Sequence, residues 1–499
     1  MDNTIPMASS TSEPHPRLPT KPSTTPYWRT QPSPLDSFRS SDTAPEIVDV
    51  AIIGSGLSGA CVAYHLLSDP ASSITNPTIA IFESRQACSG ATGRNGGHTK
   101  LAPRFIASHG SKYGPAAALE FALFLKELIG EMKECAESVV VDVEGKTLME
   151  ECEMLVTRSW DVFLDEEHAG EVEREWIEAA SAMREVAKRE GRDCELEWLG
   201  EVQFVKGENV EKITSIRGAK AAFSCPALSL WPYKFVLGLL QHVLNLGAKL
   251  YTLTPVTSME RVPGDTAGAK GLTALRTPRG TTLARKVIFS TNAYASNLLP
   301  QYSNTIIPGR GTACRIVRQP STSEYTQLVN TYNIHGSASS REYLVPRPDG
   351  SIILGGGQAL YREDKQRWYD MIDDGTLIEG VKEKWFEGYM GRTFRGWELS
   401  GEDERVDCVW TGIMGYTEDS FPHVGLVPGE TDHFIMAGFN GSGMAMIFLV
   451  ARGIARMVRG GISFEETGLP AVFKSVQERI KAVGDNAEVP TRLKAELVR

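Results

Sequence analysis

Residues 48–68, with the sequence VDVAIIGSGLSGACVAYHLLS, decide the fold of this protein. The apolar run at 48–53 is typical of a buried parallel strand, and apolar residues recur at helical spacing after Gly59. Gly54, Gly56 and Gly59 lie between the two elements in the spacing G-x-G-x-x-G. In that context the first glycine makes the turn, the second lets the backbone approach a pyrophosphate, and the third lets the helix pack on the strand. The helix N-terminus adds unpaired N–H groups and a positive dipole end for the phosphates.

A second apolar segment, TIAIFES at 78–84, follows this helix and contains an acid near its end. Its Glu83 is placed to accept hydrogen bonds from a ribose, as the acidic residue after the second strand does in dinucleotide-binding units. Strand, glycine motif, helix, strand and acid therefore follow one another in the order that such a unit requires. We predict that the chain binds a dinucleotide.

The chain continues into the polar stretch CSGATGRNGGHTK at 88–100, which holds four glycines. One interpretation is a plain mobile linker. An enzyme that uses a nicotinamide cofactor would normally continue into an ordinary crossover helix at this point. The wording ATGRNGGH at 91–98 instead resembles the D-amino-acid-oxidase-like superfamily of FAD-dependent amine and amino-acid oxidoreductases. Within it, the branch that contains gamma-glutamylputrescine oxidoreductase and many fungal homologues is the most similar.

This resemblance implies that the cofactor is FAD and that the stretch cradles its flavin. In the superfamily the corresponding glycine-rich segment passes the pyrophosphate and runs beneath the flavin ring. By resemblance, Arg94 and Asn95 lie near the flavin, and Gly96 and Gly97 allow the backbone to approach the ring.

Three later regions resemble other parts of the superfamily's FAD site. The residue matching Val256, at the end of a predicted strand, meets the adenine through its backbone, and Thr291 and Asn292 lie near the nucleotide. The block VWTGIMGYTEDSFPHVG at 409–425 carries the pattern T-x-D-x-x-P-x-x-G, in which Asp419 is the acid.

The last of these regions is a glycine loop that is predicted to open the final helix. Its candidate cofactor-binding residues are Gly441, Ser442, Gly443 and Met444. The positive end of that helix can stabilise negative charge on the reduced flavin.

The predicted fold class is α/β, with a discontinuous Rossmann-like FAD-binding domain and a second, antiparallel-sheet substrate domain. The assigned ranges are 1–45 for a disordered or extended N-terminal segment, 46–112, 220–304 and 406–465 for the FAD-binding domain, 113–219 and 305–405 for a helical insert and the substrate domain, and 466–499 for a C-terminal tail. The N-terminal segment is rich in Pro, Ser and Thr and cannot bury enough apolar surface to fold alone. Its first 20 or so residues are expected to be disordered, with the remainder lying across the folded body.

Composition excludes several classes of protein. The chain has 499 residues, enough for two or three domains, and its net charge of −10 argues against a nucleic-acid partner. No window approaches 18 uninterrupted apolar residues, so no membrane-spanning helix is expected. Eight scattered cysteines without C-x-x-C spacing predict neither a metal site nor a disulfide framework. With no basic-then-apolar signal sequence, the expected location is the cytoplasm.

Candidate catalytic residues come from the cradle and from a predicted strand at 341–348. His98 either tunes the flavin and deprotonates substrate or simply packs a loop. Tyr343 and Arg341 lie on the strand that, by resemblance, faces the flavin. Arg341 either clamps a substrate carboxylate with two hydrogen bonds or lies in solvent at a sheet edge. Trp410 either walls the pocket or belongs to the core.

The predicted activity is oxidation of a C–N bond in a small amine or amino acid, with hydride transfer to flavin N5. Only the neutral amine has a lone pair to assist hydride loss, so no strong general base is required. The alternatives are oxidation of a 2-hydroxy acid, a tailoring oxidation in a secondary pathway, or a non-catalytic dinucleotide-binding module. The electron acceptor is oxygen or another redox partner.

We expect the FAD to be held without a covalent bond. Sarcosine-oxidase-like relatives attach flavin to a cysteine shortly before the T-x-D pattern, whereas this chain has Gly412, Ile413 and Met414 there and Cys408 is too early. Acid precipitation of the holoprotein should therefore leave the flavin in the supernatant, measured by absorbance at its visible bands. Flavin that stays with the pellet would contradict this expectation, and peptide mapping would then test attachment at His98.

Overall fold

The computed structural model describes residues 17–68, 77–100, 102–263, 271–318, 327–337, 340–397 and 404–480. Its strands are β1 (Ile47–Ile53), β2 (Ile79–Phe82), β3 (His98–Lys100), β4 (Leu155–Phe163), β5 (Gln203–Lys206), β6 (Ala221–Ser229), β7 (Lys249–Tyr251), β8 (Ser258–Arg261), β9 (Thr273–Thr277), β10 (Gly280–Phe289), β11 (Ile307–Arg318), β12 (Thr331–Ser337), β13 (Ser340–Pro346), β14 (Ile352–Gly355), β15 (Glu404–Tyr416), β16 (His423–Leu426) and β17 (His433–Ala437). Its α-helices are α1 (Leu57–Leu67), α2 (Pro103–Tyr113), α3 (Pro115–Ser138), α4 (Leu148–Glu151), α5 (Glu166–Arg189), α6 (Val210–Thr214), α7 (Pro232–Asn245), α8 (Tyr389–Thr393) and α9 (Ile447–Gly460). The disorder expected for the first 20 or so residues falls mostly on 1–16, and much of the tail on 481–499, outside the described residues.

The first sheet is built around five parallel strands in the order β17–β10–β1–β2–β7. β16 extends it antiparallel to β17, and the hairpin of β8 and β9 pairs with β10. Strand β1 is central, with β2 on one side and β10 on the other, so the chain reverses its direction of winding there. Ligands bind at such a switch point, outside the carboxyl ends of the strands.

The glycines of the first motif seat α1 tightly on the end of β1. A Cβ on Gly59 would lie 1.9 Å from the carbonyl oxygen of Gly54 and 3.3 Å from Ile52 Cγ2. Gly54 itself has φ +108°, in the left-handed region that favours glycine, and a Cβ there would lie 2.7 Å from Ser290 O. Helix α1 then packs between α7 and α9, with most of its side chains buried.

The second sheet has the order β15–β11–β14–β13–β12–β4–β6–β3, and β5 pairs with β6. Every pairing is antiparallel except that of β12 with β4. The strand predicted at 341–348 is present as β13. The register places Asp161, Asn333, Tyr343 and Gly355 side by side across four strands. The α/β fold class with two kinds of sheet is confirmed.

Some details differ from the sequence-based expectations. β3, β6 and much of β15 fall within the ranges assigned to the FAD-binding domain but pair in the second sheet. The strand predicted to run through Val256 ends at Tyr251, because the chain turns at Leu253, which has φ +51°. Helix α5, in a highly charged part of the chain, buries one of its faces through residues such as Trp176 and Met183.

None of the helices in the described ranges combines the length and apolar character needed to cross a bilayer.

Replacement of Gly59 by alanine tests the seating of α1. We expect Gly59→Ala to lower the free energy of unfolding by about 1–3 kcal/mol, because the added methyl group overpacks the contact with Gly54. The control is Gly130→Ala in α3, where a Cβ would meet nothing within 4 Å. That substitution should be neutral or stabilise by up to about 1 kcal/mol through helix propensity. Denaturant unfolding of both variants measures the difference, and equal stabilities would refute the close contact.

Candidate active site

One cavity of about 660 Å³ lies between the carboxyl end of the first sheet and a face of the second. A volume of this size is typical of sites that hold a cofactor or small ligand. Among the residues that line it are the following predicted site residues: Gly54, Gly56, Glu83, Arg94, Asn95, Gly96, His98, Val256, Thr291, Asn292, Arg341, Tyr343, Asp419, Gly441, Ser442, Gly443 and Met444. The other two predicted residues, Gly59 and Gly97, lie behind the wall and permit close packing there.

The end of the cavity nearest the first sheet has the features expected of a nucleotide site. The Glu83 carboxylate accepts hydrogen bonds from Ser55 N at 3.0 Å, from Ser55 Oγ at 2.8 Å and from Arg85 N at 2.9 Å, which fixes its position beside the motif. Gly56 borders the cavity at the N-cap of α1, and a Cβ there would lie 3.3 Å from Thr92 Oγ1. A backbone without side chains at the positive end of a helix fits the pyrophosphate of FAD.

The cofactor loop, residues 88–97, passes along the cavity wall. Two tryptophans that are far apart in the sequence hold this loop from behind. Trp28 Nε1 donates to Asn95 O at 2.6 Å, and Trp410 Nε1 donates to Arg94 O at 2.8 Å. Trp410 is fully buried and belongs to the core that supports the loop. Gly97 has φ +75°, and a Cβ there would lie 2.6 Å from Leu230 O.

The guanidinium of Arg94 is committed to protein partners. It donates to Ser89 O at 2.8 Å, to Thr24 O at 2.8 Å, to Thr24 Oγ1 at 2.9 Å and to Thr411 O at 2.7 Å. Burial lowers the pKa of Arg94 to about 10, although the carboxylate of Asp374 acts in the opposite direction. Arg94 therefore shapes the cofactor loop, a role that the sequence motif did not reveal.

The T-x-D pattern forms a turn at the cavity edge. The Asp419 carboxylate accepts hydrogen bonds from Thr417 Oγ1 and Phe421 N, both at 3.1 Å, and forms an ion pair with Arg479 at 2.7 Å. This ion pair helps to keep the pKa of Asp419 below its ordinary value, although burial acts to raise it. Asn292 Oδ1 accepts from Gly438 N at 2.9 Å. Asp419 thus fixes its own turn, and Asn292 holds the backbone that leads into the glycine loop.

The glycine loop differs in one respect from its prediction. Gly441–Gly443 was expected to open the final helix directly, but a single 3₁₀ turn over Gly443–Ala445 comes first and α9 begins at Ile447.

Tyr343 and His98 meet on the side of the cavity formed by the second sheet. Their ring centroids are 5.9 Å apart. The Tyr343 ring lies between two glycines: a Cβ on Gly96 would lie 2.5 Å from it, and one on Gly355 1.9 Å from it. Burial lowers the pKa of His98 to about 3, and the neighbouring Lys100 and Arg341 add to this effect. His98 is therefore a neutral imidazole at physiological pH.

Several polar residues of this wall were missed by sequence reasoning. Lys100 and Asp161 form a buried ion pair that lines the cavity. Asn333 and His335 follow on the next strand, and burial, together with nearby cations, holds the pKa of His335 well below its ordinary value. These residues belong to no motif, and only the pairing of β3, β6, β4 and β12 brings them together. The only sign of them in the sequence is the alternation of polar and apolar residues along each strand, which indicates which side chains share a face of the sheet.

The charges that line the cavity are unevenly balanced. Glu83, Asp161 and Asp419 all have the partners described above. Arg341 lies exposed at the mouth, and no carboxylate in the described part of the chain forms an ion pair with it. Lys112 is a second exposed cation at the rim. The mouth therefore has a surplus of positive charge.

Residues 49–457 of the chain match the DAO family, described as FAD dependent oxidoreductase. The chain is 21% identical to gamma-glutamylputrescine oxidoreductase of Escherichia coli (strain K12) over 439 residues, 86% of both chains. It is 24% identical to glycine oxidase of Geobacillus kaustophilus (strain HTA426) over 447 residues, which are 87% of this chain and 98% of the relative.

Solved structures with the same fold include two enzymes. Glycine oxidase from Geobacillus kaustophilus superposes with a TM-score of 0.62 at 18% identity, covering 87% of this chain and 99% of the other. L-Proline dehydrogenase from P. horikoshii also gives a TM-score of 0.62 at 18% identity, covering 84% and 95%. At this level of identity the similarity establishes the fold.

His109, which lines the cavity, is expected to make the free energy of unfolding depend on pH. Its ring is buried, neither nitrogen has a hydrogen-bond partner among the described residues, and burial together with Lys112 lowers its pKa from 6.5 to about 4. The unfolded chain takes up a proton near pH 6.5 and the folded protein only near pH 4. Stability from this group is thus complete above pH 6.5 and is lost as the pH falls towards 4, by on the order of 3 kcal/mol.

We expect His109→Phe to flatten this part of the pH dependence, because phenylalanine cannot take up a proton. A phenyl ring suits the site, since the His109 ring centroid lies 4.9–5.2 Å from those of Tyr113, Phe121 and Phe421. Urea unfolding at pH 4.5 and pH 7 of both proteins provides the comparison. Equal losses on acidification in wild type and variant would contradict the expectation.

Proposed function

This chain belongs to the DAO family of FAD-dependent oxidoreductases, and on that premise we propose that it oxidises the C–N bond of a small amino acid. FAD, when bound, would supply the redox chemistry, with N5 as the acceptor of a hydride from the carbon beside the nitrogen. The family is one of enzymes, so the alternative of a non-catalytic dinucleotide-binding module is set aside. The names of the relatives, glycine oxidase and gamma-glutamylputrescine oxidoreductase, support a nitrogen-bearing substrate.

The observation that carries the proposal is Arg341, an exposed cation at the cavity mouth with no ion-pair partner among the described residues, whereas the acids described in the cavity lining have partners. A planar guanidinium binds a carboxylate through two parallel hydrogen bonds, and it stays charged at every physiological pH. We assign this role to Arg341. An amino acid held through its carboxylate at Arg341 would extend along β13 towards Tyr343 and His98.

The neutral imidazoles favour an amine over a 2-hydroxy acid. A hydroxyl group needs a general base whose pKa lies near the working pH, whereas His98 has a pKa of about 3 and His335 is also shifted far down. An amine in its neutral form loses hydride without such a base. His98 and His335 can accept a hydrogen bond from the substrate without adding positive charge beside the developing iminium.

Tyr343 has a positioning role in this scheme. Its ring is wedged between Gly96 and Gly355, so its orientation is fixed relative to the cofactor loop. Burial raises the pKa of Tyr343, which keeps the phenol protonated and able to donate a hydrogen bond.

Two further features belong to the proposal. A Cβ at Gly412 would lie 3.3 Å from Arg94 Cβ, so the position where relatives carry a tethering cysteine is already crowded, and FAD is held non-covalently. All eight cysteines are free, which suits a reducing compartment such as the cytoplasm. The electron acceptor is oxygen or a redox partner.

Replacement of Arg341 tests the carboxylate assignment. A bound substrate carboxylate would cover the exposed Arg341 guanidinium, and truncating a charged contact that is desolvated in the complex costs roughly 2–5 kcal/mol, so Arg341→Ala should lower kcat/KM for an amino acid by more than about tenfold. The matched amine that lacks the carboxylate should change by less than about twofold. Arg405→Ala, an exposed arginine on β15 outside the cavity lining, is the control and should leave both values unchanged.

An anaerobic screen of amino acids, amines and 2-hydroxy acids for bleaching of the flavin band identifies the substrate to use. Bleaching by 2-hydroxy acids alone would refute C–N oxidation. An equal, small effect of Arg341→Ala on both members of the matched pair would remove Arg341 from the site and indicate a simple amine.

A further inference from the structure

The chain segment 17–24 crosses the cavity at its nucleotide end. Leu18 and Pro19 form part of the cavity lining, beside Glu83, Arg85 and Tyr294. The sequence analysis expected disorder for roughly the first 20 residues and contact with the folded body only after them, whereas Arg17 and Thr20 already form hydrogen bonds with that body. The segment is thus part of the wall around the cofactor, contributed from outside both sheets.

The outer end of the segment is anchored by Arg17. Its guanidinium donates to Ser303 O at 3.1 Å and to Ile306 O at 3.4 Å, and it forms an ion pair with Asp370 at 2.7 Å. Ser303 and Ile306 lie in the connection from β10 to β11, and Asp370 lies between β14 and α8, so Arg17 ties the segment to two separate loops.

The inner end is held by the two arginines of the cofactor region. Arg85 Nη1 donates to Thr20 O at 3.1 Å, and Arg94 Nη2 donates to Thr24 O at 2.8 Å. Both arginines also donate to Ser89 O, so one set of contacts orders the segment and the cofactor loop together.

Asp374 is the anion that balances these arginines. Its carboxylate binds both terminal nitrogens of Arg85 at 2.9 Å and lies 3.3 Å from Arg94 Nε. The Asp374 side chain is 1% exposed. Its backbone oxygen accepts from Thr24 N at 2.8 Å. Two buried guanidinium groups share this one carboxylate, and its loss would leave both charges without an ion-pair partner in the described structure.

We propose that residues 17–24 form a strap that retains FAD, and that Asp374 is the positioning residue that holds the strap in place. Because Leu18 and Pro19 line the cavity, FAD held there would be covered in part by the strap, and its release would be faster when the strap lifts. FAD binding and the order of the strap are then linked. A strap that is held more firmly slows FAD dissociation, and bound FAD in turn protects the strap from proteolysis. This proposal rests on the family's cofactor and is independent of the substrate.

The first experiment measures the FAD dissociation rate of full-length holoprotein, from the recovery of flavin fluorescence after dilution. Asp374→Asn keeps the side-chain shape and removes the charge, and it should raise the rate by at least about tenfold. Arg17→Ala removes only the outer anchor and should raise it by about threefold or more. The control is Glu153→Gln, which breaks the ion pair of the buried Arg347 outside the cavity lining and should change the rate by less than about twofold.

The thermal unfolding temperature of each apoprotein separates retention from general loss of stability. Glu153→Gln and Asp374→Asn should both lower it, but only the latter should release FAD faster. The proposal is overturned if Glu153→Gln accelerates release as much as Asp374→Asn does, or if neither Asp374→Asn nor Arg17→Ala changes the rate. Should Asp374→Asn fail to fold, Arg17→Ala alone decides.

The second experiment uses trypsin on wild-type protein with and without FAD. Mass spectrometry of the fragment 1–17 measures cleavage between Arg17 and Leu18. Bound FAD should slow this cleavage by at least about threefold if the strap closes over the cofactor. Equal rates with and without FAD would overturn the proposal, and neither readout involves a substrate, so the outcome is separate from that of the proposed function.

Discussion

The buried ion pair between Arg85 and Asp374 is the interaction on which the rest of the site depends. Asp374 also contacts Arg94, so a single carboxylate connects the strap, the cofactor loop and the second sheet's domain. The cofactor loop contains four glycines and has little intrinsic order, since glycine loses more conformational freedom on folding than any other residue. Its shape is therefore imposed by surrounding partners. Those partners are donors and acceptors in a dry interior, where an unpaired group costs the most.

The second constraint is the register of the antiparallel sheet. Alternation places Asp161, Asn333 and Tyr343 on one face in one row, and His335 and Arg341 in the next row on the same face. This face carries the polar groups of the cavity, while the opposite face packs into a hydrophobic core. The sheet thus gathers cations near buried imidazoles, which lowers the pKa of His98 and His335 and keeps them neutral. A pocket with uncharged imidazoles inside and cations at its mouth is compatible with the proposed substrate, which carries a carboxylate and reacts through an uncharged nitrogen.

Local patterns determined a large part of this architecture. The packing role of Gly59 could be assigned because it acts on Gly54, a few residues away, and the structure places Gly59 against Gly54 as the motif requires. The assignment of FAD and of the α/β fold was likewise within reach of the sequence. The glycine pattern at 88–97 likewise singled out a short segment that the structure places along the cavity wall.

What the sequence could not determine were the groups that meet only after folding. Arg85 and Asp374 are 289 residues apart, Arg94 and Thr411 are 317 apart, and Lys100 and Asp161 are 61 apart. No sequence pattern showed that the guanidinium of Arg94 would bind Thr24 of the strap. The sequence by itself specified the local backbone conformations, whose energies depend on adjacent residues. The tertiary structure alone decided which charges neutralise one another, because pairing in a low-dielectric interior depends on distances between segments that no local pattern encodes.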